Sequence, residues 1–240
     1  GHLNVARVSE HQLVRHGLGR KFQTPSIFSS LSVYENLEAA IGFRTSVVKL
    51  GTSLRMAQRD QIESILEVTN LKDHRHTLAG ILSHGQKQWL EIGMLISQEP
   101  KLLLLDEPVA GMTRRERDQT GALLHRIAAN RSILVVEHDM VFVRQFASKV
   151  TVLHMGKCLC EGPVQQVQCD PHVIEVYLGR GHERAVTVVA HVLDHPALGV
   201  AHAEVERVGL VALELVHERV IARNDRDARG RGAATRAGRG

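Results

Sequence analysis

The run Lys101-Leu-Leu-Leu-Leu-Asp106-Glu107-Pro108 constrains the fold more than any other stretch of the chain. Four consecutive leucines with no polar alternation suit a strand buried on both faces, as inside a parallel sheet covered by helices. A second apolar run, 132–136, follows a long amphipathic segment at 113–129. Strand, crossover helix and strand in that order imply a right-handed unit in a parallel sheet. Helical spacing also marks 33–41, 56–69 and 86–97, the second offering Ile62, Ile65, Leu66 and Val68 to one apolar face. Residues 150–153 and 158–161 read as a terminal hairpin around Met155-Gly156-Lys157. The expected class is α/β.

That alternation stops near Arg180. Beyond it there is no Lys, Ser, Gln, Cys, Met or aromatic residue. Such a vocabulary is what GC-rich DNA gives when read in an unintended frame. The alternative is a genuine extension with two short apolar segments, 186–192 and 208–216, and a disordered Arg/Gly end. The chain therefore divides into 1–180 and an unassigned 181–240. Seven arginines from Arg219 onward, against Asp225 and Asp227, give the tail a balance of +5, while the whole chain is +4. The body sums to −1, so the basic character belongs to the tail and no specific nucleic-acid role is expected. No run approaches the ~18 uninterrupted apolar residues that a membrane helix needs. Three cysteines do not make a disulfide framework, and a reducing cytoplasm is the default.

The chemistry sits at the ends of the apolar runs. Strands of an open α/β sheet deliver their last side chains to the carboxyl edge, where ligands bind. Asp106 there can hold a magnesium ion through water, and Glu107 can orient or deprotonate a water attacking a phosphoryl group. An ordinary turn cap and a solvated glutamate explain the same pair. Ser83-His84-Gly85-Gln86 forms a capping box before a helix, and the same geometry accepts a phosphate oxygen. His138 closes the second run. Gln23 lies on a loop with Pro25 and says little alone. Cys158 and Cys160 alternate on one strand face near His154, Cys169 and His172, but there is no paired C-x-x-C and the hairpin already accounts for them.

Taken in order, these motifs resemble those of the ATP-binding-cassette ATPases over residues 1–180. The signature reads LSHGQKQWLEIGM, with His84 where most members have glycine, and the stretch after the Asp-Glu pair reads EPVAGMT. Both variants resemble the importers of branched-chain amino acids and urea, and most of all the urea transporter's ATP-binding subunit. The resemblance implies a P-loop-type ATPase fold, with a mostly parallel sheet and a helical subdomain inserted at about 26–100. It implies that Gln23 contacts magnesium and the attacking water and senses the membrane subunit, whose coupling helix would dock at 26–36. Asp106 would hold magnesium, Glu107 would be the catalytic carboxylate, and His138 would stabilise the γ-phosphate. Ser83, Gly85 and Gln86 would close on ATP bound to a facing subunit. Thr113 stands where many members have an aspartate that serves communication between the two sites.

The implied activity is hydrolysis of ATP with Mg²⁺, energising import of urea or a related small amide or amino acid at the inner face of the cytoplasmic membrane. The implied partners are a second ATP-binding subunit, two permeases and, indirectly, a solute-binding protein. The Gly-x-x-x-x-Gly-Lys-Ser/Thr phosphate loop is absent from the 240 residues, because Gly17-Leu18-Gly19-Arg20-Lys21 has the wrong spacing. The expectation is an N-terminally truncated cassette lacking its first strands, poorly active alone. Two rivals stand beside it: a module completing only a partner's ATP site, and a non-transport cassette ATPase acting on nucleic acid or ribosomes.

Overall fold

The computed structural model describes residues 17–21, 26–42, 56–154, 157–178 and 186–192. The expectations for the segment before Gly17, and for 208–216 and the Arg/Gly end, lie outside the described residues. Six strands form one sheet: β1 (Leu18–Lys21), β2 (Leu102–Asp106), β3 (Ser132–Glu137), β4 (Lys149–His154), β5 (Lys157–Pro163) and β6 (Val186–Val192), in the order β1-β2-β3-β6-β4-β5. Among the described residues three α-helices precede β2: α1 (Val33–Gly42), α2 (Met56–Val68) and α3 (His84–Ile96). The crossover helix α4 (Arg114–Ala128) joins β2 to β3, followed by the short α5 (Met140–Val143) and α6 (Val164–Val167), and by α7 (Pro171–Leu178).

β1, β2 and β3 are parallel, with Leu103 opposite Ile133 and Asp106 opposite Val136, as the two apolar runs require. β4 and β5 pair antiparallel, matching the hairpin read from the sequence. The sheet as a whole is mixed rather than mostly parallel, because β6 runs antiparallel to both β3 and β4. An apolar run records burial on both faces and carries no information about strand direction, so this could not be read from periodicity.

Side chains alternate across the pleat. Leu103, Leu105, Ile133, Val135, Val188 and Ala190 join the large core, while Leu102, Leu134 and Val189 pack together on the opposite face. The helices before β2 extend the large core through Leu37, Ile62, Leu66, Leu90 and Ile92. Gly93 allows their close approach: a Cβ there would lie 3.1 Å from Ile65 Cγ2 and 3.3 Å from Leu37 Cδ2. The buried Asn36 amide organises the preceding loop, accepting from the Phe28 N–H at 2.8 Å and donating to the Phe28 and Ser32 carbonyls.

β6 is central to the sheet, and Val188, Val189 and Ala190 are fully buried. Without it, β3 and β4 would each present an unpaired edge. Val189→Asp should therefore destabilise the chain by more than about 3 kcal/mol, since it buries a charge with no partner. The check is chemical denaturation, where a midpoint unchanged from wild type would refute the assignment.

Candidate active site at the carboxyl edge of the sheet

The parallel register of β2 and β3 sets Asp106 beside Val136, so the residues that follow on each strand emerge side by side. Asp106 is half-buried at the end of its strand. Glu107 then turns the chain in the left-handed region at φ 45°, its N–H donating to the Val136 carbonyl at 2.9 Å. A non-glycine residue held there stores local strain, a feature that gathers at functional sites. His138, exposed to 68%, places Nδ1 4.0 Å from Glu107 Oε1 and 3.9 Å from Glu137 Oε2. The structure thus brings together Asp106, Glu107 and His138.

Two charged residues that sequence reasoning missed complete this edge. Glu137 is 98% buried at its side chain; it accepts from the Val109 N–H at 3.4 Å and from the His138 N–H at 3.2 Å. It therefore ties the turn after Glu107 to the histidine. Burial pushes its carboxyl above the usual range, and the nearby Glu107 charge adds to this. Lys21, the last residue of β1, is fully buried and ion-paired with Glu91 of α3 at 3.7 Å. Burial pushes the Lys21 ammonium down and the Glu91 carboxyl up, although each favours the charged form of the other. The other Glu91 oxygen accepts from the Ser26 N–H at 3.0 Å. Glu137 was legible as a carboxylate ending a buried strand, the same signal that marks Asp106. Lys21 had only its alternate position in a short strand to mark it.

The second group lies at the start of α3. Ser83 caps the helix, accepting from the Gln86 N–H at 3.2 Å while the Gln86 side chain accepts from the Ser83 N–H at 2.9 Å, the capping box its spacing foretold. Gly85 has Glu116 against it: an added Cβ would come 2.5 Å from Glu116 Oε1. The Ser83 hydroxyl donates to that same oxygen at 3.1 Å. His84 Nε2 donates to the Ala110 carbonyl at 3.0 Å, docking the turn after the Asp-Glu pair onto the signature. Thr113 caps α4, and its N–H and hydroxyl donate to the other Glu116 oxygen. These bonds hold the Glu116 carboxyl below its usual range. Next to it, Arg117 pairs with Asp139 at 2.7 Å, and Asp139 caps α5 beyond His138. Gln23 lies outside the described residues.

Comparison with known proteins fits this arrangement of motifs. The family model for the ABC transporter matches residues 2–110, and that for the branched-chain amino acid ATP-binding cassette transporter matches residues 157–183. The high-affinity branched-chain amino acid transport ATP-binding protein BraF of Pseudomonas aeruginosa is 32% identical over 180 residues, covering 70% of each chain. The chain belongs to the ATP-binding-cassette ATPases of ABC transporters. LivG of Escherichia coli, another high-affinity branched-chain amino acid transport ATP-binding protein, is likewise 32% identical, over 179 residues and 70% of each chain. Among solved structures, MJ1267, an ATP-binding cassette of an ABC transporter, matches with a TM-score of 0.56 at 27% identity over 70% of this chain and 71% of that one. CbiO1 from Clostridium perfringens matches at 0.58 and 25% identity, over 72% and 69%.

Asp106 offers a hard oxygen donor at this edge. Among the described residues no three His, Cys, Asp or Glu side chains converge, which also removes Cys158, Cys160, Cys169, His154 and His172 as a zinc cluster. Mg²⁺ keeps several waters and is held by one or two carboxylates with substrate phosphates, which a single half-buried Asp106 at a strand end can provide.

Two outcomes follow. Glu107→Val should cost about 1–2 kcal/mol relative to Glu107→Gly, because a β-branched residue resists positive φ while glycine adopts it freely. Thermal melts of the pair decide this, and equal midpoints would refute the strain. The raised Glu137 carboxyl binds its proton more tightly in the native state than in the unfolded one. Stability from this group is present below the ordinary glutamate range and is lost as pH rises through the raised native value. Glu137→Gln should therefore gain on wild type as pH climbs across that window, measured by urea unfolding at a series of pH values.

Proposed function

We propose that this chain is the ATP-hydrolysing subunit of an importer, working as one half of a pair of ATP-binding subunits. The observation that carries the reading is the Glu107–His138 approach of 4.0 Å at the carboxyl edge of the sheet, beside Asp106. Glu107 accepts the proton of the attacking water, His138 orients that water and the γ-phosphate, and Asp106 and Gln23 would hold magnesium. Magnesium, when bound, neutralises charge developing on the transferred phosphoryl group. Glu137 fixes the His138 backbone from beneath. Ser83, Gly85 and Gln86 serve the facing subunit's nucleotide at the α3 N-terminus, the Ser83 hydroxyl turning from Glu116 to the phosphate.

The cargo reading rests on relatives. BraF and LivG are named for high-affinity branched-chain amino acid transport, and we assign branched-chain amino acids as cargo, with urea or a small amide as the narrower variant read from the signature. Permease subunits dock at 26–36. Support comes from an apolar patch of Phe28, Leu78 and Ile81, exposed to 54%, 49% and 76%. Its two loops are pinned together by the Ala79 N–H to the Leu31 carbonyl at 2.9 Å and the Gly80 N–H to the Ser29 carbonyl at 3.0 Å. Among the described residues no helix is long and apolar enough to cross a membrane. The family resemblance places the proposed subunit peripherally, on the cytoplasmic face.

ATPase assays with a complete partner subunit test this. Stimulation should fall at least about a hundredfold in both Ser83→Ala and Glu107→Gln. Loss in Ser83→Ala with full retention in Glu107→Gln would instead make this chain a module completing only the partner's site.

A further inference from the structure

The amino end of α3 already has an anion seated on it. Ser83 gives its single hydroxyl proton to Glu116 Oε1 at 3.1 Å. The same oxygen lies over Gly85, 2.5 Å from where a Cβ on that glycine would stand. The other oxygen accepts from the Thr113 N–H at 3.0 Å and the Thr113 hydroxyl at 2.8 Å, which aims the side chain from α4. A capping box asks only that Glu116 reach back to the Thr113 N–H. Its hold on the start of another helix is an additional contact, made by the oxygen that the cap does not use. Ser83 is exposed and Glu116 half-buried, so this oxygen can turn to water while the cap stays closed.

We propose that Glu116 is a built-in competitor for the phosphate of the facing subunit's nucleotide, and that it sets how tightly the signature closes on that nucleotide. The inference rests on the reading of Ser83, Gly85 and Gln86 as the site that serves the facing subunit. A hydroxyl has one proton to give, so Ser83 cannot donate to the carboxylate and to a phosphate together. Two anions drawn to one donor also repel each other at such short range. Before the subunits pair, Glu116 holds the Ser83 proton and covers Gly85. On pairing, the phosphate takes both places, and Glu116 keeps its bonds to Thr113. A merely structural cap makes a different forecast: neutralising it loosens α4 and weakens pairing, with nucleotide or without.

The test is pairing of the full chain with a complete partner ATP-binding subunit, measured by sedimentation. It is run with Mg²⁺ and a non-hydrolysable ATP analogue, and again without nucleotide, with thermal melts as the check on folding. Glu116→Gln keeps a capping-box residue at this position and removes the charge. With the analogue it should pair about tenfold more tightly than wild type, because a neutral amide holds the Ser83 proton less strongly than a carboxylate does. Without nucleotide it should show no gain. Ser83→Ala should weaken the analogue-dependent pairing, and adding it to Glu116→Gln should erase the gain. Glu116→Ala is the second variant should the first fail to fold, and it should shift in the same direction. Unchanged or weaker pairing in the Glu116 variants, or a gain that is equal without nucleotide, would overturn the role of Glu116. The signature reading then stands provided Ser83→Ala still weakens pairing. Pairing that is absent throughout, or indifferent to Ser83→Ala, would overturn the signature reading and the inference with it.

Discussion

Burial of β2 and β3 on both faces leaves their charged residues one place to go, the carboxyl ends of the strands. Leu103, Leu105, Ile133 and Val135 fill one side and Leu102 and Leu134 the other, so Asp106, Glu107, Glu137 and His138 gather where the two strands leave the sheet. The concentration of charge follows from the packing. It has an electrostatic cost, visible in the raised Glu137 carboxyl and in a lysine drawn wholly into the interior. Desolvation of each group is offset by its neighbours only while all of them hold their places.

The first turn of α4 joins the two halves of the candidate site. Glu116 closes the Thr113 cap with one oxygen and takes the Ser83 hydroxyl with the other. Arg117, one residue on, holds Asp139 and with it the loop that carries His138. Deeper in the same interface, Trp89 of α3 donates to Thr120 of α4 at 2.9 Å. Signature and histidine loop are thus seated on one rigid element. Thr113 has a definite local task as the N-cap of that element.

The parts legible in the sequence were those whose physics is local. The capping box of Ser83 and Gln86 needs only a spacing of three, and the structure realises it. The runs ending at Asp106 and His138 needed only apolarity, and the order of the motifs named the family. The parts that escaped depend on contacts across long separations. Lys21 meets Glu91 70 positions later. Glu137 binds the Val109 N–H from 28 positions away, and Glu116 reaches back 33 to Ser83. No periodicity encodes such meetings, since each arises from how separate elements are laid together.

The sequence by itself determined the α/β class, the buried strands, the helix caps and which residue types would stand at the strand ends, because hydrophobic pattern and capping act over a few residues. Only the tertiary structure decided the direction and central place of β6, the left-handed turn at Glu107, and the pairing of the buried Lys21 with Glu91. A strand's neighbour and a buried charge's counter-ion are chosen by the whole packed sheet, where desolvation makes the right partner obligatory.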